Sequence, residues 1–171
     1  MNVQNPARTR AIRARVALAA TVVLLAAVDL GLKAWAVRAL ADGTVVDLRV
    51  IQLRLAFNPG VAFSLGDTLP SGVVLGVTGV IVAGLAVFAW RTAPTATLPV
   101  RLALAAMLAG AVANLVDRAG DGVVTDYLHT GWFPTFNLAD AFLTLGAVAL
   151  VVASLFTAGS PDSTDTKEAA Q

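Results

Sequence analysis

Four long apolar runs decide what this chain can become. They extend from Val16 to Ala36, Ser71 to Trp90, Leu98 to Val116 and Leu138 to Phe156. Each is close to the ~20 residues that a helix needs to cross the hydrocarbon core of a bilayer. Composition agrees, with 57% hydrophobic and only 13% charged residues, where soluble domains carry about 25% charged residues. The expectation is an all-α polytopic membrane protein with four transmembrane helices. A formal net charge of +1 gives no bulk attraction to nucleic acid. Cysteine is absent, which excludes disulfides, a thiolate nucleophile and cysteine-ligated metal. It also means that the chain cannot itself be lipidated as a lipoprotein.

The runs divide the chain into a basic amino-terminal segment (1–15), a membrane region (16–158) and a polar tail (159–171) that reads as disordered. Arg8, Arg10, Arg13 and Arg15 followed by an apolar stretch and Ala34-Trp35-Ala36 also trace the outline of a cleavable leader. Asp29 and Lys33 interrupt the approach to that site and three more spans follow, so a retained anchor is favoured. Thr92–Leu98, with Pro94 and the nearby Pro99, makes a tight connection. The connection at 37–70 is too long for a turn. Its segment Thr44–Leu55 is rich in β-branched residues and partly alternates, which predicts one or two short strands. Such a strand could align an extended peptide by main-chain pairing. Asn58-Pro59-Gly60 marks a sharp turn.

An even number of spans puts both termini on one side. That side holds Arg8, Arg10, Arg13, Arg15, Arg91, Arg101 and Lys167, leaving Lys33, Arg38, Arg49, Arg54 and Arg118 for the other. The excess of positive charge predicts cytoplasmic termini.

Polar residues recur at helical spacing near the predicted outer ends. Asp29 and Lys33 are four apart and share a face. Asn114, Asp117 and Arg118 occupy one face at the end of the third run, and Asn137 and Asp140 repeat the three-residue spacing at the start of the fourth. Asp126 lies between the third and fourth runs. Taken alone, Asp117–Arg118 reads as a structural ion pair and cap, and Asn137 as an N-cap. Keeping Asp126 and Asp140 at a bilayer edge is costly, so a chain needs a reason to retain them. Two carboxyls converging at one depth suggest an acid/base pair.

These residues resemble the lipoprotein signal peptidases, or signal peptidase II. Asp29-Leu30-Gly31-Leu32-Lys33 is similar to the family's Asp-x-x-x-Lys element, and Phe57–Ser64 to its Asn-x-Gly-x-Ala-Phe element. Ala109–Arg118 resembles the block Gly-Gly-x-x-Gly-Asn-x-x-Asp-Arg, with Ala109 and Ala113 in place of two glycines. Val124-Thr125-Asp126-Tyr127 and Phe136–Ala141 resemble the two segments that bear the catalytic aspartates, with Tyr127 where Phe is common. The resemblance spans roughly residues 16–156.

It implies a bacterial inner-membrane aspartyl endopeptidase, without cofactor or metal, with Asp126 and Asp140 as the catalytic pair near the outer face. Asn58, Gly60, Asn114, Arg118 and Asn137 would support the site and bind substrate, braced by Asp29, Lys33 and Asp117. The implied partners are diacylglyceryl-prolipoproteins, membrane lipid and globomycin-type peptide inhibitors. Cleavage is expected on the amino side of the lipid-modified cysteine.

The remaining conspicuous residues take plainer readings. His129 is the only histidine and builds no metal site alone. Trp35, Trp90 and Trp132 fall near span boundaries, as interfacial tryptophans do. Gly131-Trp132-Phe133-Pro134 could form part of a flap. The rival function is a small proton-coupled transporter using Asp29, Asp126 and Asp140 as a relay. It requires mid-membrane carboxylates and repeat symmetry, whereas these cluster at one end and no repeat is visible. A non-catalytic membrane scaffold would leave the second aspartate unexplained.

Overall fold

The first helix, α1 (Pro6–Ala39), starts with proline at its first position, where the missing N–H costs nothing and the fixed φ suits a helix. Alanine and arginine, both strong helix formers, carry it through the basic segment and into the apolar run. It is therefore a single helix of 34 residues, about 50 Å long at 1.5 Å per residue, and its arginine-bearing turns continue the span instead of forming a separate arm. The structure is a computed structural model describing residues 6–59 and 70–158. Gly60, the re-entry at 61–65 and the polar tail 159–171 lie outside the described residues.

Three further helices follow: α2 (Ser71–Thr92), α3 (Leu98–Asp121) and α4 (Leu138–Ala158). All four are long and apolar enough to cross a membrane. α3 runs five residues past Val116, the expected end of its span, and stops at Gly122, which takes φ 79°. Its N–H closes onto the Arg118 carbonyl at 2.9 Å. This left-handed cap is open to glycine at little cost. The extension places Asp117 and Arg118 inside the helix.

α3 is the axis of the bundle and packs against α1, α2 and α4. Its buried face is made of Ala103, Leu104, Ala105, Leu108, Ala109, Gly110 and Ala113, small enough for backbones to approach closely, as membrane helices require. Gly110 faces the Ala139 carbonyl of α4, and a Cβ on Gly146 would stand 2.7 Å from the Ala103 carbonyl. Leu18, Ala89, Ala93 and Leu104 fill one end of the core; Ala26, Ala109, Ala113 and Ala139 fill the other.

The expected strands between the first two helices form as β1 (Val46–Asp47) and β2 (Gln52–Asn58). A third, β3 (Val124–His129), is an addition to the strands that the sequence predicts. It completes an antiparallel sheet in the order β1-β2-β3, with Ala56 opposite Asp126, Phe57 opposite Thr125 and Asn58 opposite Val124. Asp126 interrupts a run of β-formers and masks their signal. Beyond β3, Phe136 bridges back to Leu128, with hydrogen bonds of 2.8 and 2.9 Å. That closure delivers the next residue, Asn137, to the start of α4 beside β3.

Candidate active site

A helix leaves its first N–H groups without intrahelical partners, and the way α4 satisfies them builds the site. Leu138 N–H reaches the Tyr127 hydroxyl at 3.3 Å. Ala139 N–H donates to Asp29 Oδ1 at 2.9 Å. Asp140 N–H donates to Asn137 Oδ1 at 2.9 Å, and the Asp140 carboxylate accepts the Asn137 N–H at 3.2 Å. The last two bonds are a reciprocal capping box, with Asn137 at the cap and Asp140 three residues on. The N-cap expected of Asn137 is thus present, and it fixes the Asp140 carboxyl.

The Asn137 side chain also donates to Asp126 Oδ1 at 2.7 Å. One buried amide therefore spans the two elements, its oxygen on the Asp140 backbone and its nitrogen on the Asp126 carboxyl. Asn114, on α3, donates to Asp140 Oδ1 at 2.8 Å and accepts from Lys33 Nζ at 2.6 Å. The ammonium has only donors, so it turns the Asn114 carbonyl toward itself and the Asn114 NH₂ toward Asp140. Asn58, at the end of β2, hydrogen-bonds to Asp126.

Lys33 is 2% exposed and Asp29 fully buried, and they pair at 3.1 Å as their spacing predicts. The expected Asp117–Arg118 ion pair takes a different form. Asp117 reaches Lys33 at 3.2 Å and accepts the Thr125 N–H at 2.7 Å, tying α3 to β3. Arg118 is largely buried, and its Nε has no hydrogen-bond partner among the described residues. That Nε–H is an unused donor, on a guanidinium that feels the charges of Asp117, Asp126 and Asp140.

The electrostatics follow from burial. Asp126 is 2% exposed, and its pKa is raised to about 6, first by loss of hydration and then by the nearby Asp140 charge. Hydrogen bonds from Asn137 and Asn58 and the charge of Lys33 pull the other way. Burial, followed by the charge of Asp29, lifts the Tyr127 phenol to about 12, so it keeps its proton at neutral pH. Asp29, Asp117, Asp126 and Asp140 surround the cations Lys33 and Arg118. The carboxyls outnumber the cations, so a proton retained on one carboxyl lowers the excess negative charge.

Asp126, Asp140, Asn114, Asn137, Asn58, Asp29, Lys33, Asp117 and Arg118 therefore meet at one end of the bundle. Sequence reasoning missed Thr125, Tyr127 and Ala139, which act through backbone groups or a hydroxyl and carry no charge signal. Trp132, at the expected flap, is 83% exposed. It stacks edge-on with Phe133 at 5.7 Å, and Phe133 with Phe136 at 5.9 Å, in a loop where Gly131 takes φ 87°. Among the described residues no group of histidine and carboxylate side chains could hold a metal ion.

The fold is that of a polytopic membrane protein, with four helices long and apolar enough to span. The fold matches a bacterial membrane enzyme solved in meso at 2.3 Å, with a TM-score of 0.73 and 22% identity over 88% of this chain and 94% of that one. A second such structure, at 1.9 Å, gives a TM-score of 0.69 and 24% identity over 81% and 92%. The family model described as signal peptidase (SPase) II matches residues 21–156. A lipoprotein signal peptidase of Dehalococcoides mccartyi is 39% identical over 132 residues, 75% of this chain and 81% of that protein. One from Brucella ovis is 34% identical over 136 residues, 77% and 84%. The chain belongs to the signal peptidase II family.

Proposed function

We propose that this protein is a bacterial inner-membrane aspartyl endopeptidase that removes the signal peptide from diacylglyceryl-modified prolipoproteins, on the amino side of the lipidated cysteine. Family membership supports the peptidase activity and the class of substrate. The observation that carries the mechanism is Asn137 joining Asp126 to Asp140 in one buried hydrogen-bonded unit.

In this mechanism the pair holds one proton. The ionised carboxyl takes a proton from a water as that water attacks the scissile carbonyl. The protonated carboxyl hydrogen-bonds the carbonyl oxygen and then protonates the leaving amine. A carboxyl with a pKa near 6 suits this work, because it gains and loses a proton near neutral pH without a large energetic cost. Asn114 and Asn58 orient the two carboxyls, and Arg118 binds a peptide carbonyl. Asp29, Lys33 and Asp117 hold together α1, α3, the start of α4 and β3, the last two of which carry the carboxyls. The edge of the sheet aligns the extended substrate, and the lipid stays in the bilayer beside the bundle.

The excess of arginine at the opposite end supports cytoplasmic termini and an outer-face site, and globomycin-type peptides are expected to compete for it. The test is to incubate the purified protein with a diacylglyceryl-modified prolipopeptide and determine the products by mass. Release of a fragment beginning with the lipidated cysteine is the expected result; an uncleaved peptide, or cleavage elsewhere, would overturn the proposal.

A further inference from the structure

The carboxylate-rich site occupies one end of the bundle; the other end holds an unassigned cleft. It has a volume of about 960 Å³ and lies between the first turns of α1 and the connection from α2 to α3. Clefts that hold small ligands commonly measure roughly 300–1,000 Å³. Its walls include Arg10 and Arg13 of α1, Pro94 and Thr97 of the connection, and Arg101 of α3. Arg10 and Arg13 lie on one face of α1 with Ala14 and Ala17, which also line the cleft. Along that face the wall passes from guanidinium to methyl.

Among the described residues the three arginines face no neutralising carboxylate. The described residues that line the cleft include no carboxylate. The ion pairs among the described residues all involve Lys33, at the far end of the molecule. Neither Arg10 nor Arg13 has a side-chain hydrogen bond or ion pair to a described residue. Arg101 spends one guanidinium nitrogen on the Ala96 carbonyl at 3.2 Å, while its Nε is buried with no partner among the described residues. Thr97 caps α3 without a side-chain hydrogen bond, so the positive end of that helix adds to the same field. By contrast Arg15, nearby but outside the cleft, is engaged. It donates to the Trp90 carbonyl at 3.3 Å and stacks over the Trp90 ring.

We infer that this cleft is a binding site for a phosphate-bearing anion, either the headgroup of an anionic phospholipid or free phosphate. Arg10, Arg13 and Arg101 supply guanidinium forks to the phosphate oxygens. Ala14 and Ala17 provide the apolar wall along which a lipid's glycerol and first methylenes would lie. The site is independent of the proteolytic reading, since none of its residues touches the carboxylate cluster.

The full-length protein, purified in a neutral detergent, is titrated with phosphatidylglycerol, phosphatidylcholine and inorganic phosphate, and bound species are counted by native mass spectrometry. One tightly bound phosphatidylglycerol is expected, retained at least about tenfold better than phosphatidylcholine, as charge-assisted bonds to an anionic headgroup require. If inorganic phosphate occupies the site equally well, free phosphate is the ligand; if it neither binds nor displaces the lipid, the headgroup is. The double variant Arg13→Gln/Arg101→Gln should lose the bound anion. Arg8→Gln/Arg91→Gln removes the same charge from residues outside the cleft and should keep it. Equal losses in both double variants would reduce the effect to bulk charge and overturn the site. Equal retention of phosphatidylglycerol and phosphatidylcholine, with no bound phosphate, would overturn it as well.

Discussion

Residue by residue, the site is a set of constraints on two carboxyls. Asp140 accepts from Asn114 and from the Asn137 backbone, so its position is set by α3 and by its own helix cap. Asp126 bears the cost of burial. Its folded pKa of about 6 lies above the ordinary 3.8, so the folded state holds this proton more tightly than the unfolded state. Stability from this group is therefore present at low pH, falls as pH rises from about 4 to about 6, and is level above that. Asp126→Asn removes the titration and keeps the shape. In detergent the variant should melt above the parent at pH 8, by the equivalent of roughly 3 kcal/mol, and the gap should close towards pH 4. A gap that stays constant with pH would remove the burial argument.

Some of these constraints are legible in the sequence and others are not. Asp29–Lys33 and Asn137–Asp140 follow from helical spacing alone. Lys33 reaching Asp117 does not, because it depends on the distance between α1 and α3, which spacing within one helix does not contain. Asn137 reads as a cap and is one; its second bond, to Asp126, needs β3 folded beside α4.

At the scale of elements, the entry to α4 is the critical joint. Tyr127 supplies the hydroxyl that accepts Leu138 N–H, in a core made with Ala36 and Leu40. Tyr127→Phe leaves that N–H without its partner, at about 1 kcal/mol, and should reduce turnover severalfold while substrate binding changes little. A steady-state comparison of kcat with KM checks this. Gly110 faces the Ala139 carbonyl, whose residue is held by Asp29 from the other side. Gly110→Leu should push α4 from α3, lower Tm and reduce activity, whereas Gly84→Leu on α2, where a Cβ meets nothing within 4 Å, should leave both nearly intact. Equal effects from both changes would show that α3–α4 contact does not set the site. Helix identity is readable from hydropathy, but β3 is not, since Val124-Thr125-Asp126-Tyr127-Leu128-His129 shows no apolar–polar alternation and carries an aspartate at its centre.

Across the whole molecule, charge separates into two ends. The described carboxylates lie at or beyond the α1–α3–α4 junction, and the arginines of the first turns of α1, with Arg91 and Arg101, lie at the opposite end. A proton relay across the bilayer would need acidic side chains between these ends, where the two core clusters meet through Leu18, Ala26, Leu104, Leu108 and Ala109. The absence of cysteine makes the orientation directly measurable by labelling. Single cysteines at positions 5, 95 and 165 should react from the cytoplasmic side, and those at 45 and 131 from the outside. Labelling of 95 and 131 from one face would break the four-span topology.

In the proposed mechanism Asp126 and Asp140 perform the chemistry, while Asp117, paired with Lys33, only braces it. Single-turnover cleavage of a diacylglyceryl-prolipopeptide by Asp126→Asn, Asp140→Asn and Asp117→Asn tests this directly, provided that each variant inserts and melts cooperatively. An amide can neither accept the proton of the attacking water nor share one across the pair. The first two changes should therefore slow cleavage by at least about 10³-fold, within the range spanned by general acid–base catalysis. Asp117→Asn keeps an acceptor for the Thr125 N–H and should cost about tenfold, equivalent to ~1.4 kcal/mol. Loss of cleavage in Asp117→Asn, with Asp140→Asn still active, would show that Asp126 and Asp140 are not the catalytic pair.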